Sequence, residues 1–176
     1  DLIITMYNVG DMDPFRFSKS VKKMCPEIPI VLLASYSRLV HSKISGSDTS
    51  SLDYIYYWSG SMDLIIAIIK LVEDRMNADH DIFNVGVQAI LLVEDNIRYY
   101  STYLPAIYRI VLRQSSDVRE ALNEQQQKLC KRVRPKILMA SNYTDAVELY
   151  QKYRENLLGV ISDVGFVVNK GDAPES

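Results

Sequence analysis

The sequence predicts an α/β protein in which a parallel sheet carries helices on both faces and so forms three layers. Short, nearly continuous apolar runs alternate with longer segments whose apolar residues recur at helical spacing. A parallel strand is buried on both faces and therefore reads as a continuous apolar run, while the helices between such strands cover the sheet. The composition agrees, since 48% of the 176 residues are hydrophobic and 24% are charged.

Six apolar runs are predicted as strands, and polar, Gly or Pro residues bound them. In chain order they are residues 2–5, 30–33, 54–57, 89–93, 136–139 and 159–162. Four longer segments are predicted as helices, at residues 15–25, 62–76, 96–131 and 143–155. The Ser-rich stretch 35–52 is predicted to contain one further short helix, and Pro105 should kink or restart the long helix.

Residues 78–86 are predicted as a linker, because polar residues flank Ile82 and Phe83 in this stretch. They divide the chain into residues 1–77 and residues 87–176. The run Leu2-Ile3-Ile4-Thr5 follows Asp1 directly, so we expect both halves to be parts of a longer chain with further domains.

Charge, cysteine content and hydropathy disfavour several classes of protein. The net charge of -2 gives no broad positive field for nucleic acid. Cys25 and Cys130 lie far apart, which favours free thiols in a reducing cytoplasm over a disulfide framework. The longest apolar run, residues 62–72, is shorter than the roughly 20 residues that cross a bilayer. We therefore expect a cytoplasmic protein without a membrane or nucleic-acid partner.

Acidic side chains follow two of the predicted strands. Glu94 and Asp95 come directly after the strand 89–93, and Asp163 comes directly after the strand 159–162. If those strands are neighbours, three carboxylates meet at one edge, where their repulsion favours either protonation or binding of a hard cation such as Mg²⁺. Taken singly, Asp95 could be a helix cap and Asp163 a turn residue.

These residues resemble the receiver domain of two-component response regulators, which has a flavodoxin-like fold. The run from Ile90 to Asp95 is similar to its first strand and acidic pair, and Asp163 matches its phosphoacceptor. The resemblance implies that Asp95 and Asp163 bind Mg²⁺ directly, that Glu94 acts through metal-bound water, and that the Gly165 carbonyl completes the protein ligands. It covers residues 87 to about 168 and implies phosphorelay signalling from a sensor histidine kinase or other phosphodonor protein, not an enzyme.

The first half is similar to the same family from its third strand onward, with departures at the functional positions. Met6 stands where the phosphoacceptor is expected, Ala34 where Thr or Ser is expected, and Tyr57 where Lys is expected. A thioether cannot accept a phosphoryl group. Residues 1–77 are therefore interpreted as the rear part of a degenerate receiver, and residues 87–176 as the front part of a second receiver with an extended first helix.

Three alternatives stay open. The chain could be a non-phosphorylated interaction module of a larger protein, because Tyr99 and its neighbours also resemble tandem receiver-like regions ahead of phosphoenolpyruvate synthase or pyruvate-binding domains. A phosphohydrolase of the haloacid dehalogenase type ranks last, because Gly165 stands where its second Asp is expected. The two halves could also share one composite sheet, either within the chain or in a homodimer formed by strand exchange.

The basic residues near the end of the long predicted helix are interpreted as a solvated helix end, with docking of an acidic partner as the alternative. They are Lys128, Lys131, Arg132, Arg134 and Lys136. His41 and His80 are expected in polar loops without a catalytic role.

Overall fold

A computed structural model describes residues 1–7, 10, 12–120 and 134–165. The described residues form an α/β protein with two parallel three-stranded sheets, and the α/β class agrees with the prediction from the sequence. It divides into two compact units, Asp1–Ile65 and Ile66–Ser176. In the described residues no helix is long and apolar enough to cross a membrane.

The first unit contains the sheet β1-β2-β3, formed by β1 (Ile3–Met6), β2 (Ile30–Ala34) and β3 (Tyr54–Tyr57). β2 is central and buried throughout, as its uninterrupted apolar sequence predicts. The crossover helices are α1 (Pro14–Met24) and α2 (Arg38–Ser45). Pro14 occupies the first turn of α1, where its missing N–H costs nothing, and the Asp13 carboxylate accepts a hydrogen bond from Phe15 N at 3.4 Å.

The division between the units falls within α3 (Met62–Asp79). A π-helical turn, His80–Asn84, follows α3, and Gly86 ends it with φ +76°, donating its N–H to the Ile82 carbonyl at 3.2 Å. The predicted linker is therefore mostly helical, and its Ile82 is buried with Ala78 in the core of the second unit. The predicted domain limits, 1–77 and 87–176, stay a prediction.

The second unit contains the sheet β5-β4-β6. Its strands are β4 (Ala89–Val93), β5 (Lys136–Ala140) and β6 (Leu157–Ser162), and its helices are α4 (Ile97–Glu120) and α5 (Tyr143–Tyr153). Pro105 lies inside α4, which continues through it without the predicted restart. Residues 121–131, predicted as the rest of this helix, lie outside the described residues, as do residues 166–176 of the predicted second domain.

The two outer strands of this sheet differ in burial. All five residues of β5 are buried, whereas the last five residues of β6 are exposed. The described strands form two separate sheets, so the expectation of one composite sheet within the chain is wrong. Each sheet is held together by pairing between strands of its own half. Strand exchange between two copies stays a prediction.

Candidate functional site

The carboxyl edge of the second sheet carries the three acidic residues that the sequence singled out. β4 and β6 pair in parallel with Val93 opposite Ser162, and the Asp163 N–H donates to the Val93 carbonyl at 3.1 Å. The Glu94 N–H donates to the Ala140 carbonyl at 3.0 Å, at the end of β5. The backbone therefore places the two acidic strand ends next to each other, as the sequence predicts.

Glu94 is the buried acid of this edge, with 3% of its surface exposed. Its Oε1 accepts a hydrogen bond from the Asn96 N–H at 3.1 Å. Burial raises the pKa of Glu94; the Asn96 hydrogen bond opposes that change, and the negative charges of Asp163 and Asp95 add to it. Asp95 and Asp163 are thus close enough to Glu94 to repel its negative charge.

The side chains of these acids do not gather into one ligand group. Asp163 is exposed, and its Oδ1 accepts a hydrogen bond from the Val164 N–H at 2.7 Å. Among the described residues no three His, Cys, Asp or Glu side chains are placed to hold a metal ion together. The expectation that Glu94, Asp95 and Asp163 share one coordination shell is therefore not met by these side-chain positions. Their roles as ligands stay a prediction.

The chemistry of this edge nevertheless suits Mg²⁺. Three carboxylates and the Gly165 carbonyl are all oxygen donors, which hard cations prefer. A cation would also relieve the repulsion from Asp163 and Asp95, which adds to the effect of burial on the pKa of Glu94. Gly165 has open space around its α-carbon, so sterics give no reason for a glycine there.

The corresponding edge of the first sheet carries no carboxylate at its three strand ends, where Met6, Ala34 and Tyr57 stand. Instead, the Tyr57 hydroxyl lies 2.7 Å from Nδ1 of His41, and Tyr36 meets the Tyr57 ring edge-on at 5.2 Å. Burial raises the pKa of Tyr57, and Tyr36 adds to that rise. The prediction that His41 lies in a polar loop is wrong, because α2 carries it to this aromatic group.

A second cluster, missed from the sequence, surrounds Asp74 on α3. Asp74 is fully buried, and its carboxylate accepts hydrogen bonds from the Tyr108 hydroxyl at 2.8 Å and the Ile137 N–H at 3.0 Å. Both terminal nitrogens of Arg134 also donate to it, at 2.8 and 2.6 Å, and the Lys136 ammonium lies 3.4 Å away. We call Asp74, Tyr108, Arg134 and Lys136 the Asp74 cluster.

The Asp74 cluster corrects the interpretation of Arg134 and Lys136 as a solvated helix end. Lys136 is buried and also contacts Asp81 at 2.5 Å, and the guanidinium of Arg134 lies 5.8 Å from the centre of the Tyr108 ring. Burial is the largest effect on Arg134 and opposes its charge, but its hydrogen bonds to Asp74 and its attraction to Asp74 and other negative groups together outweigh burial, so its pKa lies above the ordinary value. Lys128, Lys131 and Arg132 lie outside the described residues.

A polar pocket of about 310 Å³ opens beside this cluster, lined by Arg134, Lys136, Asp81, Glu73 and His80 among others. His80 begins the π-helical turn and is not in a loop as predicted; its Nδ1 lies 3.2 Å from Asp81. One sequence signal could have revealed the cluster. Asp74 follows Leu71 by three residues and precedes Ala78 by four, so an acid stands in the buried stripe of α3.

No family model, curated protein or solved structure matches the chain.

Proposed function

We propose that this chain is a signalling module of the receiver type with a flavodoxin-like fold, in which Asp163 accepts a phosphoryl group. The observation that carries the proposal is the buried Glu94 beside Asp95 and Asp163, at the ends of two paired parallel strands. A buried acid with a raised pKa and acidic neighbours is typical of functional sites. The carboxyl edge is also where parallel α/β sheets bind ligands.

Strand order supports the same class. The flavodoxin-like order is 2-1-3-4-5. The order β5-β4-β6 equals its first three strands when β4 is counted as the first, and β1-β2-β3 equals its last three strands. The acidic pair then follows the central strand of its sheet, next to the strand that ends at Asp163.

In the proposed transfer, a carboxylate oxygen of Asp163 attacks the phosphorus of a phosphohistidine on a partner kinase. A P–O bond to Asp163 forms, the P–N bond breaks, and the departing imidazole nitrogen takes up a proton. Asp163 suits this role because it is exposed, whereas Glu94 is buried. Bound Mg²⁺ would neutralise the charge of the phosphoryl oxygens. Asp95, Asp163 and the Gly165 carbonyl would hold the ion, and Glu94 would hold its water.

The test is phosphorylation of the full 176-residue chain by acetyl phosphate with Mg²⁺, followed by mass spectrometry of peptides. We expect modification at Asp163, its loss in Asp163→Asn or after chelation, and its retention in the matched control Asp63→Asn. Modification at another residue would refute the assignment of Asp163. The protein should be cytoplasmic, where such kinases act.

A second candidate is a non-phosphorylated interaction module of a larger phosphoenolpyruvate synthase-like protein. The first unit favours it, because Met6, Ala34 and Tyr57 leave the described ends of its three strands without a phosphoacceptor. The separated side chains of Glu94, Asp95 and Asp163 also agree with it. Complete resistance of the chain to acetyl phosphate, together with no Mg²⁺ binding, would decide for this candidate.

A further inference from the structure

The polar pocket of about 310 Å³ lies at the amino edge of the second sheet, where β4 and β5 begin. Glu73 of α3 lines one part of it, Asp81 and Val85 line the part at the π-helical turn, and Arg134 and Lys136 line the part at the start of β5. Its volume is at the lower end of the range for small-molecule sites. We call it the amino-edge pocket.

Arg134 has hydrogen-bonding capacity that Asp74 leaves unused. Nη1 and Nη2 share the Asp74 carboxylate, and Nη1 also lies 3.4 Å from the Pro135 carbonyl. Nε–H and the second N–H of Nη2 have no acceptor among the described residues. These two N–H groups are parallel, and such a fork matches the two oxygens of a carboxylate. Nε is not sealed off, because in the described part of the chain the Tyr56 hydroxyl is the only buried side-chain polar atom without a partner.

Lys136 adds one more donor on the same side of the pocket. Its side chain is 8% exposed, and its ammonium contacts Asp81 at 2.5 Å and Asp74 at 3.4 Å. An ammonium has three N–H groups, so one of them has no acceptor within the described chain. A buried donor without an acceptor costs free energy unless water or a ligand supplies one. The β5 side of the pocket is therefore suited to the oxygens of a carboxylate.

The α3 side of the pocket supplies an acceptor. Glu73 pairs with Lys70 through Oε2, at 2.5 Å, and its Oε1 has no donor among the residues that the structure describes. The negative charge of Glu73 also acts on Arg134, where it contributes to the raised pKa of the guanidinium. A positively charged group of a ligand can therefore pair with Glu73 while a carboxylate of the same ligand pairs with Arg134.

The balance of charge selects a ligand that carries both signs. With His80 counted as neutral, the pocket and its ion pairs contain three acids and three bases, which are Asp74, Asp81, Glu73, Lys70, Arg134 and Lys136. A ligand with a single charge meets no net field of opposite sign, whereas a zwitterion pairs with each side. Val85 and Val87 add a short apolar wall, which suits a small aliphatic group.

We propose that the amino-edge pocket binds a small zwitterion of amino-acid size, whose carboxylate accepts hydrogen bonds from Arg134 and Lys136 and whose ammonium donates to Glu73. The aliphatic part of the ligand packs against Val85 and Val87. The ligand is bound without reaction. This site lies away from the acidic carboxyl edge, so it does not depend on the proposed phosphoryl transfer.

Isothermal titration calorimetry of the full 176-residue chain tests the need for both charges. L-valine carries its two charged groups on one carbon, and δ-aminovalerate carries them at opposite ends, so the two probes cover short and long separations. At least one should bind saturably. Its analogue without the ammonium, isovalerate or valerate, and its analogue without the carboxylate, isobutylamine or butylamine, should be weaker by at least about tenfold. No binding of either zwitterion, or an analogue as tight as its zwitterion, overturns the proposal.

Variants of the pocket locate the bound zwitterion. Glu73→Gln should weaken it by at least about fivefold and leave the analogue without an ammonium unchanged. Arg134→Lys removes the fork and should weaken both ligands. Val85→Trp should abolish binding, because Val85 is partly exposed at the pocket and the larger ring fills it. The matched control Glu148→Gln, an exposed position on α5, should bind as wild type does.

Circular dichroism checks that each variant folds. If Arg134→Lys does not fold, Glu73→Gln and Val85→Trp still decide, since neither changes a contact of the buried Asp74 carboxylate. Binding that is unchanged in these two variants would place the zwitterion elsewhere and overturn the proposal. Asp163→Asn should retain binding, which separates this result from the test of phosphorylation.

Discussion

Two buried carboxylates lie at opposite edges of the second sheet, and their surroundings differ. Asp74, at the amino edge, is 0% exposed and contacts Tyr108, Arg134, Lys136 and the backbone of Ile137. Glu94, at the carboxyl edge, is 3% exposed, accepts a hydrogen bond from Asn96, and has Asp95 and Asp163 as charged neighbours.

This difference makes Asp74 a structural charge and Glu94 a candidate functional residue. A buried carboxylate surrounded by donors and cations has its desolvation offset within the fold. Glu94 has no comparable compensation among its described contacts, so a ligand or a proton must supply it. Burial alone would give both residues the same role, and only the neighbouring groups distinguish them.

The largest effect should come from Asp74→Ala. The substitution leaves Arg134 and Lys136 at a buried site without their shared carboxylate, and breaking such a pair costs about 3–5 kcal/mol. Urea denaturation followed by circular dichroism measures the free energy of unfolding. The control Asp63→Ala, in the half-buried first turn of α3, should change it by less than about 1 kcal/mol. A loss below about 1 kcal/mol for Asp74→Ala would show that the cluster contributes little.

Mg²⁺ should raise the free energy of unfolding by binding at the carboxyl edge of the second sheet, where Glu94, Asp95 and Asp163 lie. A ligand at 100 times its dissociation constant adds about 2.7 kcal/mol to the free energy of unfolding. The shift should vanish in Asp95→Asn and persist in Asp74→Asn, provided that the second variant still folds. Thermal denaturation with and without Mg²⁺, at constant ionic strength, is the measurement. Equal shifts in wild type and Asp95→Asn would place the ion elsewhere.

Glu94→Gln should change the free energy of unfolding in the direction opposite to Asp74→Ala. The amide oxygen can still accept the Asn96 hydrogen bond, while the buried negative charge is removed. Without Mg²⁺ at neutral pH we expect the variant to be as stable as wild type or more stable by about 1 kcal/mol. A clear loss of stability would mean that an unrecognised contact compensates the charge of Glu94.

The smallest effect concerns pH. Because the pKa of Glu94 is raised in the folded protein, the folded state holds its proton more tightly than the unfolded state. Its contribution to stability is present below the ordinary pKa of 4.5 and is lost as pH rises through the raised value. The stability of wild type relative to Glu94→Gln should therefore fall as pH rises above 4.5. A difference that is constant with pH would contradict the raised pKa.

The order of the strands and helices along the chain could be predicted, because each of these elements depends on a local pattern of apolar residues. Continuous apolar runs identified all six strands to within two residues, and apolar residues three and four apart identified α1, α3 and α5. The position of Glu94, Asp95 and Asp163 after their strands follows directly from the same runs. That the strands β4 and β6 are neighbours was a hypothesis, which the pairing of Val93 with Ser162 confirms.

Tertiary structure decided which charges are compensated. Asp74 and Arg134 are 60 residues apart, and no local pattern pairs two such distant residues. It likewise decided that the six strands form two sheets, and that β5 is covered while β6 is exposed, although both strands are apolar in sequence. A sequence states how apolar or charged a residue is, but desolvation and Coulomb energies depend on distances to neighbours, and only the packed chain sets those distances.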